Sequence, residues 1–173
     1  MSLFLGPRKA AHAALYLALT ILLPIIFHQF GVAGRIFLPM HLPVLLCGFI
    51  MGPLSGFLVG LIAPILSHLL TGMPPLYAVP LMTMELPLYG AIAGLTYRIL
   101  RFNIYIALLV AMIAGRLAFA LGLLILGQFM ELPYGPTQFF AAAGAVVSGL
   151  PGIALQLVII PPLVAAIRRT VKF

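Results

Sequence analysis

Long apolar runs alternate along this chain with short clusters of Gly, Pro, amide and charged residues. Within the runs polar positions are too sparse to mark one wet helix face, so the runs predict helices with apolar surroundings on every side. Dividing the chain at the clusters gives six spans, about Ala10 to Phe27, Ile36 to Met51, Leu54 to Leu70, Val79 to Leu100, Ile104 to Leu126 and Gln138 to Ile167. The breaks are a loop holding Gln29, Gly31, Gly34 and Arg35, a tight Gly52-Pro53 turn, the segment Thr71 to Tyr77, the turn Arg101-Phe102-Asn103, and a loop from Gly127 to Pro136. Pro39 and Pro43 fall inside the second run.

Composition turns this pattern into a class. Hydrophobic residues make up 64% of the chain and charged residues 6%, where a soluble domain carries about a quarter charged. With a mean hydropathy of +1.27, the chain reads as an all-helical integral membrane protein. At about 20 residues per span, 173 residues hold six spans with short connections in a single transmembrane domain, 1–173. Cys47 stands alone, which excludes an intrachain disulfide and a cysteine metal site. Arg8 and Lys9 precede an apolar run too long for a signal peptide and without a small-residue cleavage site, so it reads as the first span.

The net charge of +7 follows topology more simply than nucleic-acid binding. Six spans with a cytoplasmic N-terminus put Arg8, Lys9, Arg98, Arg101, Arg168, Arg169 and Lys172 inside, and only Arg35 among the basic residues outside. That is a positive-inside pattern, and an odd number of spans would split the terminal clusters. Both termini are therefore expected in the cytoplasm.

Small residues recur at helical contact spacing. Gly48, Gly52, Gly56 and Gly60 cross the Gly52-Pro53 turn as two short faces, expected to pack an antiparallel helix pair. Gly90 and Gly94 read the same way. Ala10, Ala14 and Ala18 form a stripe on the first span that suits either the bundle interior or a flat face for a partner.

The remaining polar residues converge toward the outer side of this topology. His28 ends the first span, His41 falls one or two turns into the second, and His68 closes the third. Glu85 lies roughly 9 Å below the outer end of the fourth span and Arg116 roughly 15 Å deep in the fifth. Tyr77, Tyr89, Gln128 and Tyr134 sit at similar or shallower depth, whereas His12, Asn103 and Gln156 fall in the inner half. An intramembrane charge pairs or faces a cavity. Glu85 and Arg116 are thus either an ion pair locking two helices or the polar groups of an outward-facing ligand pocket, with His41, His68, Tyr77 and Tyr89 as further candidates. Catalytic patterns are scarce: there is no HExxH and no phosphate-binding Gly-rich loop ending in Lys-Ser/Thr. Glu85 and Glu131 are the only carboxylates, and Glu131 is loop-borne. No catalytic residue, resident metal or cofactor is expected, and any uphill transport must draw its energy from another subunit or an ion gradient.

Specific segments resemble a known family. Leu38-Pro39-Met40-His41-Leu42-Pro43-Val44-Leu45-Leu46 with Gly48, then Leu70-Thr71-Gly72-Met73-Pro74-Pro75, then Met84-Glu85-Leu86-Pro87-Leu88-Tyr89-Gly90, resemble the substrate-binding S components of energy-coupling factor (ECF) vitamin transporters. The resemblance implies a plasma-membrane subunit of a prokaryotic ABC importer. It would bind a vitamin near the outer face, dock a transmembrane coupling subunit carrying two ATPases, and topple to deliver its cargo. ATP is used by those partners. The resemblance further implies that Ala10, Ala14 and Ala18 dock the coupling subunit, that Thr71, Gly72, Met73, Pro74 and Pro75 with Tyr77 gate the pocket, and that Glu85 contacts ligand. The chain has no Trp for ring stacking, which disfavours a large flavin-like ligand, and a buried Arg116 suits a carboxylated or oxygen-rich one. A small B vitamin, pantothenate- or pyridoxine-like, is the expectation. The competing readings are an intramembrane enzyme acting on a lipid or prenyl substrate, and a structural membrane protein in which Glu85 and Arg116 only join helices.

Overall fold

A computed structural model describes residues 6–28, 38–129 and 139–170, with the side chains of His28 and of residues 139–149 outside the description. The expectations placed on Gln29, Arg35, Glu131, Tyr134 and Lys172 also lie outside it. The described residues are helical with no strand: α1 Pro7–His28, α2 His41–Met51, α3 Pro53–Thr71, α4 Val79–Gly94, α5 Ile104–Leu126 and α6 Phe139–Thr170.

Local chemistry sets the ends. Gly52 adopts φ 106°, a conformation open to glycine, and Pro53 then starts α3 where a missing N–H costs nothing. Gly72, left-handed at φ 72°, ends α3 with its N–H on the His68 carbonyl. Asn103 caps α5 by accepting a hydrogen bond from the Tyr105 N–H at 2.9 Å. The second run begins its helix at His41, after a turn at Pro39-Met40, so His41 is the first residue of α2. The fourth run is continuous to Ile99, but its last turn, Leu95–Ile99, is π-helical.

Pro7–Phe27, Pro53–Thr71, Ile104–Leu126 and Leu150–Thr170 are each long and apolar enough to cross a membrane. Helix α2 has 11 residues, about 16 Å of rise, against a hydrocarbon core of about 30 Å. The side-chain distribution on α5 suits lipid. Ile113, Leu117, Leu121 and Leu124 are more than half exposed, whereas the interior face is built of Ala107, Ala111, Gly115, Ala118 and Gly122 along with Leu108 and Met112. Large apolar residues outward and small ones inward is the arrangement by which helices pack closely where water does not drive them together.

Helix α4 is central, packed on α2, α3 and α5, while α1 covers α2 and α3 and α6 covers α2 and α5. The expected glycine faces are present, with a wider role than joining one pair. A Cβ on Gly48 or Gly56 would enter the backbone of Gly90, one on Gly60 would meet the Leu86 carbonyl, and one on Gly94 would meet Gly52-Pro53. Gly56 also approaches Gly48, so three helices meet backbone to backbone. This close approach fixes the height of α4 against α2, and with it the relative positions of Glu85 and His41.

Candidate functional site

Glu85 lies about one and a half turns before Gly90 on α4 and is 3% exposed. Its Oε1 is 3.2 Å from Arg116 Nη1 of α5 and 3.4 Å from His41 Nε2 of α2. One carboxylate therefore joins three helices. Tyr89, one turn further along α4, has Glu85 and Arg116 as its electrostatic neighbours. Its ring meets His41 edge-on, with centroids 4.9 Å apart and planes at 88°. That ring also lies against Gly115, where any Cβ would collide with it.

The cluster is enclosed yet incompletely satisfied. Both ring nitrogens of His41, Oε1 of Glu85 and Nε and Nη2 of Arg116 are buried without a hydrogen-bond partner. The Glu85 contacts to Arg116 and His41 are within ion-pair range but are not aligned as hydrogen bonds. Each unmet buried donor or acceptor costs about 1–3 kcal/mol, so five in one place is a poor design for glue between helices. The arrangement offers a carboxylate acceptor beside guanidinium donors and an imidazole able to do either, walled by a tyrosine.

The one other buried orphan atom among the described residues is Nε2 of Gln156, whose side chain is 1% exposed on α6. Gln156 is the amide that the sequence places in the inner half of the last span. Arg168 of α6 donates to the Tyr97 hydroxyl at 2.9 Å. Twelve residues back along each helix, about 18 Å, stand Gln156 and Glu85, and α6 packs on the α2 and α5 that carry His41 and Arg116. Gln156 is thus a second buried, unsatisfied polar group, on a helix that packs on two helices of the cluster. An amide in an otherwise apolar span was a visible signal in the sequence.

His68 has a different setting. Its Nδ1 is 2.8 Å from the Pro74 carbonyl, Ser67 donates to the Met73 carbonyl at 2.7 Å, and Thr71 donates to the Ser67 and Met73 carbonyls. Segment Thr71 to Pro75 is thereby tied to the end of α3, and Ser67 was not anticipated from sequence. Tyr77 is half-buried in the same connection. On α1, Ala10, Ala14 and Ala18 are exposed, while Tyr16, Thr20 and Ile21 face the bundle. Among the described residues no group of three or more His, Cys, Asp or Glu is placed to hold a metal ion.

A family model described as "ECF transporter, substrate-specific component" matches residues 8–164. The chain belongs to that family. No curated protein and no solved structure matches it. As a substrate-specific component it is a transport subunit rather than an enzyme, in a class that serves a small-molecule substrate and works with coupling and ATPase partners. Together with four helices of spanning length, membership makes it a multi-pass membrane protein.

Proposed function

We propose that this S component captures a small B vitamin or precursor at the Glu85–Arg116–His41 cluster and presents it to a coupling subunit and two ATPases of an ECF-type importer, in a plasma membrane of prokaryotic type. The observation that carries the reading is the set of buried, unpartnered polar atoms on three helices, with Gln156 as a further one on α6. A ligand with both an anionic or carbonyl oxygen and hydroxyl or ring N–H donors would satisfy Arg116 and Glu85 together. Pantothenate and pyridoxine-like molecules both carry such groups.

In this reading the chain is one domain of six spans with both termini cytoplasmic, and the end bearing Arg98, Arg101 and Arg168 faces inward. Glu85 and Arg116 orient the ligand, His41 and Gln156 complete its hydrogen bonds, and Tyr89 walls one side. The loop Thr71, Gly72, Met73, Pro74, Pro75 and Tyr77 gates entry, with His68 acting on the loop. The exposed alanine face of α1 docks the coupling subunit, and toppling of the loaded component releases the cargo. A flat stripe without bulky side chains allows close helix contact and can slide without unfolding side chains.

Thermal unfolding of the detergent-purified protein across a panel of B vitamins tests the substrate class. Cys47 is the sole cysteine and fully buried, so a thiol-reactive dye reports opening of the core. A binder at a hundred times its Kd adds about 2.7 kcal/mol. A shift confined to one vitamin, and absent from Arg116→Ala, supports the reading; no shift with any member of the panel contradicts it.

A further inference from the structure

The basic end of the molecule contains two adjoining cavities remote from Glu85. One, of about 480 Å³, is lined by Tyr97, Arg98, Arg101, Phe102 and Arg168. The other, of about 390 Å³, shares Arg98 and adds Lys9 and the Gly52-Pro53 turn. Among the described residues no carboxylate stands in either wall, and the two ion pairs of the described residues are both made by Glu85, away from these cavities. A positive-inside bias alone asks only for cations near the membrane edge; it does not ask for three guanidiniums around one cavity.

The backbone is specialised to produce that convergence. The π turn Leu95–Ile99 shifts Tyr97 and Arg98 from the register an α-helix would give them. Arg101 follows at φ 58°, a left-handed conformation costly for a residue with a Cβ. Phe102 then closes the turn with its N–H on the Thr96 carbonyl at 2.9 Å. Arg98 spends one donor on the Ile50 carbonyl at 2.6 Å, and Arg168 one on the Tyr97 hydroxyl while lying 5.3 Å over its ring. Each guanidinium has five donors, so most remain for a ligand.

The surroundings of the cavity are apolar. Ile99, Leu100, Phe102, Tyr105 and Ile106 are all more than two-fifths exposed beside it. A cationic chamber bordered by exposed apolar side chains fits a molecule with an anionic phosphate at one end and hydrocarbon at the other. We infer that Arg98, Arg101 and Arg168 form a binding site for the phosphate headgroup of an anionic membrane phospholipid, with its acyl chains against Phe102 and the start of α5. Such a site would anchor the basic end at one leaflet surface, and it is independent of the substrate reading. Phosphate recognition by clustered arginines at a membrane boundary follows ordinary electrostatics.

Native mass spectrometry of the delipidated full chain tests this, with phosphatidylglycerol or phosphatidylcholine added and excess inorganic phosphate as a competitor. The expected result is retention of one phosphatidylglycerol, little phosphatidylcholine, and no displacement by phosphate. Arg101→Gln/Arg168→Gln should weaken retention more than about tenfold, Arg101→Gln alone by a smaller factor, and the charge-matched Arg8→Gln/Arg169→Gln should retain the lipid. Equal loss in both double variants would show unspecific attraction and overturn the site. Displacement by phosphate would make it a free-anion site. Loss of coupling-subunit assembly without any phosphatidylglycerol binding would assign the arginines to a protein partner instead.

Discussion

Replacing Glu85 with Gln leaves the Arg116 guanidinium facing a neutral amide in a site 18% exposed on the arginine side and 3% on the other. Removing one partner of a buried ion pair costs about 3–5 kcal/mol, because the surviving charge loses its compensation. The residual exposure of Arg116 favours the lower end, about 3 kcal/mol. At about 2–4 °C per kcal/mol for a chain of this size, Glu85→Gln should melt about 6–12 °C below wild type. Glu85→Leu/Arg116→Leu removes both charges, a change that is often neutral or stabilising, and His41, already without a hydrogen-bond partner, loses no hydrogen bond by it. The double variant should therefore melt close to wild type, yet bind no substrate. Dye labelling of buried Cys47 during a thermal ramp reads both variants directly. Melting of Glu85→Gln within a degree or two of wild type would refute the claim that the carboxylate and guanidinium depend on each other in an enclosed site.

Other consequences follow from packing. Gly90→Ala pushes a Cβ into the Gly56 backbone, which has no side chain to move; its loss should exceed the 1–3 kcal/mol usual for overpacking. Gly115→Ala first meets the Tyr89 ring rather than a backbone, so that variant should fold, melt lower and bind substrate more weakly, as thermal ramps with and without ligand will show. Ser67→Ala/His68→Ala removes two tethers to the Met73 and Pro74 carbonyls. At about 1 kcal/mol each, amide exchange in the 73–78 connection should accelerate by roughly thirtyfold, with α5 unchanged. Ala14→Phe, on the exposed face of α1, should abolish copurification with the coupling subunit while substrate-induced stabilisation persists.

The helical class and most boundaries were legible because membrane helices announce themselves by composition over about 20 residues. Pairing of Glu85 with Arg116 was also legible, since the chain has almost no other intramembrane charge. The addition of His41 depended on the Gly48–Gly90 approach, which sets the height of α2 against α4 and has no signature beyond small residues. The burial of Gln156 without a partner for its Nε2 was not legible, because it depends on which neighbours α6 meets rather than on its position in the span. Gly115 escaped attention for a different reason: it matters through a ring on another helix, a relation that one-dimensional spacing does not carry. The π turn before Arg101 was likewise hidden, because π and α turns share the same apolar residues.

Mass spectrometry of small molecules released from the detergent-purified protein, run beside Glu85→Leu/Arg116→Leu, tests the central claim most directly. A single vitamin-sized molecule released from the wild type and missing from the equally stable apolar variant is the predicted result. The same molecule released from both, or none from either after incubation with the vitamin panel, would contradict a substrate site at Glu85 and Arg116.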